Sequence, residues 1–165
     1  MNGKIRDKLI RSLETSHGLY HRLVLLVGET GTGKTKILRD VAEELGIFCV
    51  NINLALSGEL LDLTPKQRAL WLPDIFERII DSGSSPVVLD NLEILFDQNL
   101  KQDPLRLLQK ISRNRAVIAS WNGRINDGRL VYAESGHPEY RCYDETGALI
   151  VCMDGTTTVD LANNY

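Results

Sequence analysis

The sequence predicts an α/β fold, a mainly parallel sheet covered by helices on both faces and finished by antiparallel strands towards the C-terminus. Three observations predict it. Short apolar runs recur four times, and stretches of helical periodicity fill the intervals between them. A glycine-rich loop stands between the first run and the first long helix. From Leu130 onward the pattern shortens into brief apolar pieces separated by turn residues.

The elements follow in order. Ile5, Leu9, Ile10 and Leu13 recur at helical spacing with Lys4, Arg6, Lys8 and Arg11 between them. That predicts an amphipathic helix over about 3–16, packed on the core. "RLVLLVG" has the profile of a buried parallel strand. "KTKILRDVAEELG" places Ile37, Leu38, Val41 and Leu45 on one helical face, with Gly46 as the C-terminal cap. "IFCVNIN" reads as the second strand. Thr64 and Pro65 start the next helix, a capping hydroxyl followed by proline at the first position. Leu70, Trp71, Ile75, Phe76, Ile79 and Ile80 continue it as core positions, with Pro73 placed to kink or interrupt it.

"SGSS" is then a loop and "PVVLDN" the third strand. Asp103-Pro104 opens a helix carrying Leu105, Leu107, Leu108 and Ile111, and "AVIAS" is the fourth buried strand. "RLVYAESGHPEYRCYDETGALIVCMDG" predicts short antiparallel strands turning at "SGHPE" and "DETG". Tyr132, Tyr140 and Tyr143 are spaced to pack across them. Residues from about 156 to 165 form a polar tail, expected to be loosely held.

The 165 residues fit one domain spanning 1–165. A net charge of −3 excludes a broad nucleic-acid-binding surface, so DNA contact is left to a local patch or a partner. The three cysteines, Cys49, Cys142 and Cys152, lack zinc spacing. Cys49 lies in an apolar run and is expected to be a buried, inert thiol. Scattered free thiols suit a reducing compartment, no run approaches the ~18–20 apolar residues of a membrane span, and the charged N-terminus is no signal peptide. A soluble cytoplasmic protein is the expectation. His17 and His21 are expected at the surface, although their place before the first strand could border an adenine ring.

The chemistry begins at "GETGTGKT", residues Gly28 to Thr35, which fits the pattern Gly, four residues, Gly-Lys-Thr of the phosphate-binding loop. Gly28, Gly31 and Gly33 let the chain curl so that its N–H groups, with those of Glu29, Thr30 and Thr32, form a nest for phosphate oxygens. The helix start adds its partial positive charge. Lys34 reaches the β- and γ-phosphates, and the Thr35 hydroxyl completes a magnesium shell. The fold class sharpens to a P-loop NTPase three-layer sandwich that takes ATP and Mg2+.

Asp90, at the end of the third strand, is the carboxylate expected to order the metal with Thr35. Hydrolysis also needs a group to orient or deprotonate water. Asn91 follows Asp90 and can position water but cannot take its proton. Glu93 and Asp97 lie further on, and either reaches the site only if the segment bends. At the end of the fourth strand, "VIASWNG" offers Asn122 to face the γ-phosphate, with Ser120 as the alternate. Arg124 and Arg129 flank a short glycine-containing segment. Either one of them serves a neighbouring subunit as an arginine finger, or both are solvated surface residues. The chain carries no Asn-Lys-x-Asp guanine-reading motif, and Gly123 to Arg129 is too short for the arginine-rich lid of a nucleotide kinase.

The loop, the strand ending in Asp90 and "VIASWNG" together resemble the nucleotide-binding core of AAA+ and related ATPases. The resemblance implies a sensor at Asn122 and, loosely, an arginine-finger region at Arg129. It also brings out two departures: Asn91 stands where that family usually has Glu, and the C-terminal helical lid is absent. Both count against rapid turnover and a standard hexameric ring. Four further stretches, "VNINLALSGELLDLTPKQRALWLP", "LDNLEILFD", "DPLRLLQKISRNRAVIASWNG" and "LVYAESGHPEYRCYD", resemble the BrxF family, small P-loop proteins of type 3 BREX phage-defence systems. That resemblance runs from Leu23 to Tyr143. It implies a bacterial protein working beside larger BREX components, including a DNA methyltransferase and a PglZ-type protein. The expectation is a weakly hydrolysing, assembly-dependent ATPase that forms a homo-oligomer. A nucleotide-binding structural subunit and a small-molecule kinase are the competing readings.

Overall fold

The computed structural model describes residues 2–81 and 85–158. Most of the expected "SGSS" loop and the tail from 159 lie outside the described residues. Strand β1 (Leu23–Gly28) lies inside the sheet. It is preceded by helix α1 (Asn2–Ser16) and followed by α2 (Lys34–Leu45), β2 (Cys49–Asn51), α3 (Ile52–Leu60) and α4 (Pro65–Asp81). Next come β3 (Val87–Asp90), α5 (Pro104–Ile111), β4 (Val117–Asn126), β5 (Arg129–Tyr132), β6 (Arg141–Tyr143) and β7 (Leu149–Cys152). The parallel part of the sheet runs β2-β3-β4-β1-β7. Strands β5 and β6 continue antiparallel from the far half of β4.

Both faces of β1 are buried, which is why it reads as an unbroken apolar run. Leu23, Leu25 and Val27 face the layer of α3, α4 and α5, with Phe76, Leu89 and Trp121. Val24 and Leu26 face the other layer, packing with Ile5, Leu9 and Leu13 of α1 and Ile37, Leu38 and Val41 of α2. Each fully buried aliphatic side chain contributes about 1.5–3 kcal/mol, so the two helical layers are fixed largely by these stripes. The fold is the expected mainly parallel α/β sandwich, with no helical lid among the described residues. No described helix is long and apolar enough to cross a membrane.

Several local expectations are corrected. β2 is three residues long, and the chain enters α3 at Ile52, capped by the Asn51 side chain accepting from the Leu54 N–H at 3.1 Å. Helix α4 runs unbroken through Pro73. Proline removes the hydrogen bond to the Ala69 carbonyl, and Gln102 supplies the missing donor at 2.9 Å. Leu70 and Trp71 lie on the outer side of α4, 69% and 43% exposed, while Phe76 is buried. The last strand, β7, is parallel to β1 rather than antiparallel, and it extends the main sheet. Cys49 is only half-buried, because β2 forms the sheet edge. Tyr132 and Tyr143 pack as expected, but Tyr140 is exposed.

Candidate nucleotide site

Parallel register brings the chemistry to one edge of the sheet. Gly28 pairs with Asn122 across β1 and β4, and Asn51 pairs with Asp90 across β2 and β3. Strand ends in an open parallel sheet form the crevice where ligands bind. The loop between β1 and α2 curls through Gly31 (φ 85°) and Gly33 (φ 93°), left-handed conformations that suit glycine. Beneath it, a side chain at Gly28 would collide with Met153 and the Thr32 hydroxyl. Thr32 closes the curl by donating to the Glu29 carbonyl at 2.7 Å.

Lys34 is buried at the start of α2 and donates to the carbonyls of Gly28 (2.7 Å) and Glu29 (2.8 Å). Burial lowers its pKa, opposed by the charges of Asp90, Glu93 and Glu29. A triphosphate arriving at the loop would offer this ammonium oxygens of full negative charge in place of two neutral carbonyls. The Thr35 hydroxyl donates to Asp90 Oδ2 at 2.6 Å, and the Ser120 hydroxyl donates to Asp90 Oδ1 at 2.7 Å. Ser120 therefore orients the carboxylate rather than facing a phosphate. Thr35 and Asp90 are hard oxygen donors side by side at the loop. They fit Mg2+, which takes one or two protein oxygens and fills its octahedron with water and phosphate.

The segment after Asp90 bends. Asn91 takes φ 55°, a left-handed conformation that asparagine tolerates better than most residues, and its carbonyl accepts from the Asn53 N–H at 2.9 Å. The 3-10 turn Glu93–Phe96 that follows is pinned by Phe96, stacked on Tyr132 with centroids 3.5 Å apart and set edge-on to Trp121 at 5.2 Å. Glu93 is thereby carried back to the strand ends. Its Oε1 accepts from the Asn122 amide, and its Oε2 accepts from the Asn53 amide at 2.9 Å. Asn53 also accepts the Ile94 N–H at 2.8 Å. Asp97 is used elsewhere, capping the turn Gln98–Leu100.

Strand β4 continues past Asn122 into a hairpin with β5, turning at Asp127 and Gly128 with φ 51° and 76°. Gly123 lies so close to β5 that a side chain there would land on the Val131 carbonyl. Trp121 Nε1 donates to that same oxygen at 3.2 Å. Arg124 lies beside the loop of its own chain, 3.7 Å from Glu29 and 3.2 Å from Glu134. It also donates to the carbonyl of Ala133 at 3.4 Å, a residue in the left-handed region at φ 64° and a cost of about 1–2 kcal/mol. Arg129, at the hairpin tip, is 59% exposed and paired with Asp144 at 2.7 Å. His21 sits at the opposite end of β1, where its Nδ1 meets the Gln109 carbonyl at 3.0 Å, so it does not border the loop.

The structure thus gathers Lys34, Thr35, Asp90, Glu93 and Asn122 around the loop Gly28 to Thr35, and it leaves Asp97 and Arg129 apart. Asn53 was not expected from the sequence. The available signal was a second asparagine just beyond an apolar strand whose neighbour Asn51 pairs with Asp90. A strand, a glycine loop closed by a lysine, a helix and a carboxylate on a nearby strand define a P-loop nucleotide-binding protein. The family model for the AAA family, "ATPase family associated with various cellular activities", matches residues 24–115. The chain belongs to that family. No solved structure matches it.

Proposed function

We propose that this chain is a magnesium-dependent ATPase of the AAA family whose own turnover is slow and rises when it assembles. The observation that carries the proposal is the double hold on Glu93. A carboxylate within reach of the loop is the natural group to take a proton from the attacking water. Here both of its oxygens are occupied by the amides of Asn53 and Asn122. The site has its metal ligands (Thr35 and Asp90), its phosphate lysine (Lys34) and its polar sensor (Asn122), while its base is tied down. Asn91, directly after Asp90, serves as the bend that delivers Glu93.

Assembly would supply what one chain lacks. Arg129 stands at the end of a rigid hairpin, four residues and about 13 Å beyond the level of Asn122. That places it beyond its own phosphates and suits a finger offered to a neighbouring copy. Such fingers are worth about 10³–10⁵ in rate. The finer reading is a cytoplasmic component of a BREX phage-defence complex, beside a DNA methyltransferase and a PglZ-type protein, with DNA contact made through those partners. Its support is the resemblance of four stretches between Leu23 and Tyr143 to the BrxF family. The clamp on Glu93 equally favours a second reading, a subunit that holds ATP without turning it over. Equilibrium binding tests the site both readings share: Lys34→Ala should weaken Mg-ATP binding by about tenfold or more, and unchanged affinity would remove the assignment.

A further inference from the structure

Arg124 and Arg129 differ in what they can touch, although four residues of hairpin separate them. We propose that Arg124 acts in cis, as an arginine that closes on the terminal phosphate of the nucleotide bound to its own chain, with Glu29 and Glu134 as its resting partners. The inference rests on the reading of the loop as a nucleotide site and adds a regulated contact to it.

Four observations carry it. First, Arg124 lines a cleft of about 410 Å³ with Gly28, Glu29 and Thr32 of the loop and with Met153 and Asp154 beyond β7, and its guanidinium reaches Glu29, so it stands beside the start of the phosphate loop. Second, side chains two apart on a strand project from the same face, and Arg124 stands two residues past Asn122. The amide that faces Glu93 and the guanidinium that faces the loop therefore point to one side. Third, the backbone beneath Arg124 is held fast. Gly123 allows β5 to approach too closely for any side chain, and Trp121 bonds across to Val131. Only the arginine side chain has to move. Fourth, its present partners are exchangeable: Glu29 and Glu134 are 61% and 80% exposed, the contact to Glu29 is long at 3.7 Å, and so is the bond to the Ala133 carbonyl at 3.4 Å.

Exposed carboxylates hold a guanidinium weakly. A phosphate group accepts it in two parallel hydrogen bonds and carries more charge than either glutamate. A triphosphate seated in the loop would therefore draw Arg124 away from Glu29 and Glu134. A diphosphate, lacking the terminal group, would leave it where it is. Glu29 and Glu134 become competitors that make the closed state depend on the third phosphate, giving the site a means of telling ATP from ADP without any neighbour.

The test is equilibrium binding of Mg-ATP and Mg-ADP to the full chain, at dilutions where affinity no longer depends on protein concentration. Arg124→Ala should weaken ATP by about tenfold to a hundredfold and ADP by less than about threefold. Glu134→Gln, which frees the arginine and lies outside the loop, should tighten ATP by a few-fold and leave ADP unchanged. Should Arg124→Ala fail to fold, Glu134→Gln still decides the matter, because its effect is a gain that damage does not produce. ATP affinity unaltered in the folded variants would overturn the proposal. Wild-type chain that binds neither nucleotide would instead overturn the nucleotide-site reading, and this inference with it. Arg78→Ala is the comparison, an exposed arginine of α4 paired with Glu59 at 2.9 Å: its affinities should match the wild type, whereas a selective loss of ATP in Arg129→Ala at dilution would move the role to the hairpin tip and refute Arg124.

Discussion

Removing the Asn53 side chain should make the isolated chain a faster ATPase. Asn53→Ala deletes two hydrogen bonds, one donated to Glu93 Oε2 at 2.9 Å and one accepted from the Ile94 N–H at 2.8 Å. The second is a neutral bond worth about 0.5–1.5 kcal/mol, and the first reaches a charged group and is worth about 1.5–3. Both are only partly buried, so the lower ends apply and a net loss of about 2 kcal/mol is expected. In a chain of this length that corresponds to a fall in melting temperature of about 4–8 °C. The effect on rate has the opposite sign. Freed from one amide, Glu93 can turn towards the attacking water, and releasing a hold of about 1–2 kcal/mol raises turnover about five- to thirtyfold. The assay is hydrolysis at saturating Mg-ATP with dilute protein, beside a melting curve. Adding Glu93→Gln to Asn53→Ala should cancel the gain and cut the rate by about 10²–10⁴. Unchanged or slower turnover in Asn53→Ala, with the fold and ATP affinity kept, would refute the view that this bond restrains the base.

Two further predictions follow from packing and thiol chemistry. Gly123→Ala should lower the melting temperature by about 3–10 °C, because the added carbon meets the Val131 carbonyl and the hairpin must shift; a melting curve that overlays the wild type would contradict the close approach of β4 and β5. Alkylation at pH 8, followed by mass spectrometry, should find one fast thiol, Cys142, which is exposed. Burial raises the pKa of Cys152 and pushes that of Cys49 up to about 11, leaving about 0.1% of Cys49 as thiolate at that pH; rapid labelling at Cys49 would contradict its placement.

How much of this was legible in the sequence depends on how local each determinant is. The strand, loop and helix from Leu23 to Leu45 are encoded by contiguous residues, and so are the caps at Thr64 and Asp103, which the structure forms through Gln67 and Arg106. Asp90 could be placed because an apolar strand ends there. The position of Glu93 could not be read, because it depends on the left-handed turn at Asn91 and on Phe96 finding Tyr132, 36 residues later in the chain. Helix α3 was hidden for a different reason. "INLALSGEL" carries apolar residues without a clean stripe, and it follows directly on an apolar strand. The continuity of α4 through Pro73 depended on Gln102, a partner supplied from another part of the chain. The direction of β7 shows only in its parallel pairing with β1, which no local pattern announces.

The central claim is that this chain hydrolyses ATP slowly alone and faster in company. Its most direct test is the rate of Mg-ATP hydrolysis per protomer across a wide range of protein concentration, with Asp90→Ala as the blank and Arg129→Ala alongside. A rate per protomer that climbs with concentration, vanishes in the blank and stays flat in Arg129→Ala is the predicted result. A rate that is constant per protomer at every concentration, or absent throughout while ATP is still bound, would contradict it.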